Sequence, residues 1–225
     1  MRPSPGNRTS ERVGAERDAP RNLASGSSAS VLSRIHEPQV SVAIWQRPLS
    51  AAVERQLAAH CFLMPRQQRF SLAPGSALDA ALDGALGRFL RAPLAAQDPW
   101  RSDLHLMLSL ARQLAPQAAL RVCIETRACN TRERFHVDHV ALRLICTYRG
   151  QGTEWMPAHL PVPASEAGSQ HVMPASGLQE IPSGAIAVMK GRRYPGQPDS
   201  GLVHRSPTAS VDSPRILAMV DVELS

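Results

Sequence analysis

The spacing of apolar residues changes at Pro116, and no other feature limits the possible folds as much. Before that point apolar side chains recur every three or four residues, as amphipathic helices require. After it, short β-branched runs are separated by Gly and Pro, which marks a sheet, a sandwich or a small barrel. Three helices are expected in the first part. Ser50 caps residues 51–57, with Glu54 in the first turn. Residues 76–90 carry Leu78, Leu82, Leu86, Phe89 and Leu90 on one face, and Pro99 opens a third helix whose apolar stripe ends before Pro116. A leading strand is expected over residues 40–45, stopped by Arg47-Pro48. Later strands are expected at residues 120–126, 141–148, 153–156, 185–189, 201–204 and 216–222.

These elements predict an α+β chain in three parts. Residues 1–30 are Pro, Gly, Ser, Arg and Ala with few large apolar side chains, the composition of a disordered tail. Residues 31–117 supply the leading strand and a buttress of about three helices, residues 118–225 a β-rich core, and 31–225 form one folded unit. At 225 residues and 43% apolar content, one core is the natural outcome. The Pro-rich stretch 157–183 reads as a long loop, a surface excursion or a lid over a site.

Composition narrows the function classes. The formal charge is +6, but all of the 25 basic residues except Lys190 are Arg and they form no run of five, while aromatic residues are only 4%. A nucleic-acid surface built on basic runs and stacking rings is therefore not expected. Cys61, Cys123, Cys129 and Cys146 form neither a CxxC pair nor a dense disulfide pattern, which fits reduced thiols and a cytoplasmic location. Without a signal-like apolar stretch or eighteen consecutive apolar residues, neither export nor membrane insertion is expected.

The chemistry concentrates in Phe135-His136-Val137-Asp138-His139 and in His204, 66 residues after Asp138. On an extended backbone, His136 and Asp138 share one face at roughly 7 Å between Cα atoms, close enough to bind one ion. His204, at the end of a short apolar run, is suited to bring a third ligand from another strand. Two imidazoles and a carboxylate on one side of a metal leave three positions open, the arrangement typical of non-haem Fe(II) oxygenases. His139 points away from Asp138 on such a strand. Arg215 lies eleven residues beyond His204 and enters an apolar strand. Its planar guanidinium can hold a carboxylate through two parallel hydrogen bonds, although the same residue would serve equally in an ordinary ion pair.

Several nearby residues have readings of either kind. Glu154 and Trp155 follow a glycine turn, where the acid could orient a substrate and the indole form a pocket wall; a half-buried aromatic beside an exposed acid reads as well. His159 and His171 read as solvated loop residues, Arg192 and Arg193 as a basic turn, and Cys123, Cys129 and Cys146 as small core residues.

The order of these features resembles that of the 2-oxoglutarate- and Fe(II)-dependent dioxygenases: HxD, an Arg-containing apolar strand, a glycine-rich turn, Gly184-Ala-Ile-Ala-Val, then His and a basic residue. Arg143 to Tyr148 with Gly150-Gln-Gly152-Thr153-Glu154 is similar to the prolyl-hydroxylase-like pattern. Over most of its length the chain resembles the bacterial family called domain of unknown function 1826. It does so through Ala43-Ile-Trp45-Gln-Arg47-Pro48, Phe135 to Asp138, Gly152-Thr-Glu-Trp155 and Val203-His-Arg-Ser-Pro207. That family name implies no activity.

The dioxygenase resemblance, over roughly the last hundred residues, implies a C-terminal double-stranded β-helix, a jelly-roll or cupin-like barrel. It implies His136, Asp138 and His204 as ligands of Fe(II), and Arg215 as the residue holding the distal carboxylate of 2-oxoglutarate. Such an enzyme would hydroxylate a small molecule or a protein side chain. Many relatives carry Ser or Thr two residues after that Arg, where this chain has Leu217, so Tyr148 is a candidate for the missing hydroxyl. The three ligands also suit zinc or nickel in a non-enzymatic or regulatory protein on the same barrel, or a metal that polarises substrate in a cupin-like isomerase or hydrolase.

Overall fold

Alternation along a strand sorts its side chains onto two faces, and both faces of the main sheet in this protein are covered. The computed structural model describes residues 20–59, 66–92, 98–128, 134–158, 177–197, 201–210 and 213–224. In chain order the elements are β1 (Leu23–Gly26), a 3-10 segment (Ala29–His36), β2 (Val42–Trp45), α1 (Ala51–Ala59), β3 (Arg66–Leu72), α2 (Asp79–Leu90) and α3 (Pro99–Leu114). They continue as β4 (Ala119–Arg127), β5 (Leu142–Arg149), β6 (Glu154–Trp155), β7 (Gln179–Glu180), β8 (Ile186–Lys190), β9 (His204–Arg205) and β10 (Arg215–Glu223). Seven strands form one sheet in the order β1-β2-β8-β5-β10-β4-β3, and three form a second in the order β7-β6-β9. Among the described residues only β1 and β2 pair in parallel; the other pairs are antiparallel.

One face of the large sheet packs on the helices. Leu120, Val122, Leu144, Cys146, Tyr148 and Val220 meet Leu86 and Phe89 of α2 and Trp100, Leu104 and Met107 of α3. Trp100 is fully buried and stands edge-on to Phe89 at 5.7 Å and to Tyr148 at 5.5 Å. The opposite face carries Val42, Ile44, Ile145, Ala187, Met189 and Leu217, and the small sheet covers part of it with Trp155, aided by Ile181 and Leu202. Helices, large sheet and small sheet thus form successive layers.

The helices start and stop where local chemistry directs. Asp98 caps α3 by accepting from the Arg101 amide at 2.8 Å, with Pro99 in the first turn, and the Ser50 hydroxyl accepts from the Val53 amide at 3.3 Å. The second helix begins at Asp79, later than Ser76, because Ser76 instead closes a turn onto the Ala73 carbonyl.

Three expectations need correction. The disordered tail does not extend to residue 30: Leu23–Gly26 is strand β1, supported by β2, a contact that local composition does not reveal. Residues 1–19 lie outside the described residues. Strand β3 was not expected, because its sequence Arg-Gln-Gln-Arg-Phe-Ser-Leu is polar; as an edge strand on β4 it needs little burial. The strand expected at 201–204 is formed by His204–Arg205 instead. The long loop contains the short strand β7, while its residues 159–176 lie outside the described part.

A buried polar contact joins α3 to the sheet. Arg47 pairs with Asp103 at 2.5 and 2.7 Å, and the Tyr148 hydroxyl donates to Asp103 at 2.8 Å. Burial works against the Arg47 charge, but the hydrogen bond and charge of Asp103 more than offset it and raise the guanidinium pKa. Asp103→Ala would strand this cation and is expected to cost about 3–5 kcal/mol in urea unfolding. A loss below about 1 kcal/mol would show that the contact does not hold helix and sheet together.

Candidate metal centre

The backbone brings the separated motif residues together. His136 and His204 exchange both hydrogen bonds of an antiparallel bridge, His136 N to His204 O at 3.0 Å and His204 N to His136 O at 2.9 Å. Directly opposed residues place their side chains on one face, and the two rings lie 4.6 Å apart between centroids. Asp138, two residues on, joins them: ligand atoms of all three residues lie within 4.8 Å of one another. His136 Nε2 is 3.7 Å from Asp138 Oδ1, and His204 Nε2 is 3.3 Å from Asp138 Oδ2. His204 and Asp138 are buried, whereas His136 remains accessible.

The other ring nitrogens settle the donor set. His136 Nδ1 is 2.9 Å from the Arg134 carbonyl and His204 Nδ1 is 3.0 Å from the Leu202 carbonyl. A carbonyl can only accept, so each Nδ1 carries hydrogen and each Nε2 faces the cluster. Asp138 Oδ2 is buried and makes no hydrogen bond within the usual geometry. Two acceptors this close in a buried place need a cation between them, either a proton or a metal ion. These residues therefore fit a divalent ion through two imidazoles and one carboxylate oxygen. Burial raises the Asp138 carboxyl, but a proton held on His204 beside it, together with the charges of Arg143 and of protonated His136, outweighs burial and holds the group below the usual carboxylate range.

Glycines set the approach of neighbouring segments. A Cβ on Gly191 would lie 2.2 Å from the Val140 carbonyl and 2.8 Å from that of Asp138, so only Gly lets this turn support the Asp138 segment. Gly150, at φ 84°, would meet the Arg215 side chain at 2.9 Å.

Arg215 lies on the face of the large sheet turned away from the helices, since β10 alternates Ile216, Ala218 and Val220 toward the helices and Leu217 toward the other layer, and from that face Arg143 reaches Asp138. Its Nε donates to the Gln151 carbonyl at 2.7 Å, and Nη2 lies 3.3 Å from the Thr147 hydroxyl and 3.4 Å from that of Thr153. It is 1% exposed, beyond the reach of an ordinary surface ion pair. A β-bulge between β10 and β5 falls beside it, where the register steps from Arg149 to Thr147.

Tyr148 does not join this group. Its side chain lies on the helix face with its hydroxyl on Asp103, so the expected role beside Arg215 is corrected: Thr147, one residue away, faces the other way and brings the hydroxyl. Alternation against apolar Cys146 was the signal that could have distinguished them. Sequence reading also missed Arg143, which donates to Asp138 Oδ1 at 2.6 Å and to both Asp221 oxygens at 2.6 and 3.0 Å.

Other residues take quieter places. His139 is exposed, Trp155 is core, and Glu154 accepts from Arg205 at 2.6 Å. Cys146 is a buried thiol whose pKa burial pushes up to about 12, Cys123 is half-buried, and Arg192 and Arg193 are exposed. Cys61, Cys129, His159 and His171 lie outside the described residues. Among the described residues no helix is long and apolar enough to cross a membrane.

With the geometry in place, sequence and fold comparisons add the family. A family model described as "Protein of unknown function (DUF1826)" matches residues 26–221. The chain belongs to the DUF1826 family. No curated protein matches this DUF1826 member in sequence. Among solved structures, it is similar to a rice dioxygenase for auxin oxidation at 15% identity and a TM-score of 0.50, covering 89% of this chain and 82% of that one. A Pseudomonas putida prolyl-4-hydroxylase is similar at 13% identity and 0.45, covering 88% and 98%. A full-length Neurospora crassa protein solved in complex with alpha-KG is similar at 10% identity and 0.44, covering 89% and 83%. The likeness between the rice enzyme and this DUF1826 chain is one of fold.

Tyr148→Phe is expected to lower stability by about 1 kcal/mol in urea unfolding through loss of the Asp103 hydrogen bond. An unchanged unfolding curve would show that this bond contributes nothing to the seam between helix and sheet.

Proposed function

We propose that this protein is an Fe(II)- and 2-oxoglutarate-dependent oxygenase built on a double-stranded β-helix. The observation that carries the reading is that His136, Asp138 and His204 bring ligand atoms within 4.8 Å of one another, with Arg215 on the sheet face from which Arg143 reaches Asp138. In this reading His136, Asp138 and His204 would hold the ion through two imidazoles and one carboxylate. When bound, ferrous ion and 2-oxoglutarate supply the oxidising chemistry that hydroxylates a substrate.

The chain's own residues divide the remaining work. The Leu202 and Arg134 carbonyls fix the ring tautomers, so the imidazoles present lone pairs without rearrangement. Arg215 binds the far carboxylate of 2-oxoglutarate, with the Thr147 and Thr153 hydroxyls beside its guanidinium to share the anion. Leu217 and Ile145 give that end of the site an apolar floor, where a charge-assisted hydrogen bond is stronger than in water. The accessible edge at His136 is the side from which a substrate reaches the ion. The fold shared with the rice dioxygenase supports the reading.

The test is anaerobic loading with Fe(II) followed by air and 2-oxoglutarate. The wild-type protein is expected to release succinate in proportion to oxygen consumed, and Asp138→Asn or His204→Ala to lose at least about 100-fold of that turnover, the upper end of losses seen when metal-site support is removed. Arg215→Met is expected to raise the concentration of 2-oxoglutarate needed by at least about tenfold, the effect of losing a charge-assisted pair worth roughly 1.5–3 kcal/mol. Tight zinc or nickel binding without 2-oxoglutarate binding would instead favour a non-enzymatic metal protein.

A further inference from the structure

Arg143 is the charged residue in contact with the cluster that the proposed chemistry does not use. It projects from β5 onto the site face, cross-strand from Asp221 of β10. Its guanidinium is shared between two carboxylates: Nη1 donates to Asp138 Oδ1 at 2.6 Å, while Nε and Nη2 grip Asp221 at 2.6 and 3.0 Å. All three side chains are largely buried, at 20%, 10% and 19% exposure, so the contact is not an exposed pair that solvent would screen away. The backbone at Asp138 lies outside the named strands and is anchored by the bridge at His136 and by bonds from the Arg192 and Arg193 amides to the Asp138 and Val140 carbonyls.

We infer that Arg143, anchored by Asp221, is a positioning residue that holds Asp138 with Oδ1 occupied and Oδ2 presented to the metal. The inference rests on the metal reading above. The fork donates one arm to the ligand and two to the rigid strand β10, so the carboxylate is held in its ligating pose before any ion arrives. With Oδ1 engaged, Asp138 offers a single oxygen, and the open positions around the ion are kept for other ligands. The arrangement also has an electrostatic cost, because it places a permanent positive charge beside a cation site.

That cost makes the inference testable by sign. If Arg143 acted only as a charge, removing it would tighten metal binding, and replacing it by Lys would change nothing. If it positions Asp138, both substitutions weaken binding, because neither side chain can bridge two carboxylates as a fork. The probe is Co(II), followed by its visible absorption during titration of the full-length protein. Arg143→Lys and Arg143→Met are expected to weaken Co(II) binding about tenfold or more, within the range for loss of groups that orient metal ligands. The absorption of the bound ion should shift as the Asp138 oxygen geometry changes, a readout that a purely structural role would leave at its wild-type form. Should Arg143→Met fail to fold because Asp221 is stranded, Arg143→Met with Asp221→Asn removes that carboxylate's charge and allows the same titration.

Wild-type affinity and spectrum in the folded variants, or tighter binding in Arg143→Met, would overturn the positioning role while leaving the metal site intact. Failure of the wild-type protein to bind one Co(II), or equal binding by His204→Ala, would overturn the metal reading and the positioning role with it.

Discussion

The structure of the site depends on one pair of backbone hydrogen bonds, those exchanged by His136 and His204. An antiparallel bridge forces opposed side chains to the same face, so the two imidazoles converge without any contribution from their own chemistry. The peptide groups are already satisfied by each other. What the rings then need is orientation, and two backbone carbonyls provide it through Nδ1.

The rest of the fold keeps that bridge beside a rigid surface. The large sheet has helices on one face, so its strands cannot shift register without exposing Leu144, Val220 and the residues packed on Trp100. Register, in turn, fixes which residues of β5 and β10 face the small sheet. Arg143, Ile145 and Thr147 follow from one choice and Leu144, Cys146 and Tyr148 from the other. The polar residues on the site face are expensive to bury, and each carries partners that offset the cost: Arg143 has two carboxylates, and Arg215 has a carbonyl and two hydroxyls.

Much of this was legible beforehand. A helix opening at Pro99 and ending before Pro116 could be read because Pro99 and an apolar stripe are local signals, and α3 spans Pro99–Leu114. His136, Asp138, His204 and Arg215 could be selected because their residue types and spacing are informative before any contact is known. The face of Tyr148 is not legible in the sequence, because a tyrosine hydroxyl suits either side of a sheet until its neighbours' burial is known. Strand β3 and strand β1 were hidden for a related reason: edge strands draw on a neighbour's backbone, and their own side chains need not be apolar.

By itself, the sequence determined which groups were available and where local structure begins and ends, because caps, periodicity and turn residues act over a few positions. Only the tertiary structure decided the partners: the opposition of His136 to His204, the choice of Thr147 over Tyr148 beside Arg215, and the fork from Arg143 to Asp138 and Asp221. Those are contacts between residues far apart in the chain. They depend on strand order and register, which are set by burying two whole faces of a sheet at once and leave no signature in a short stretch of sequence.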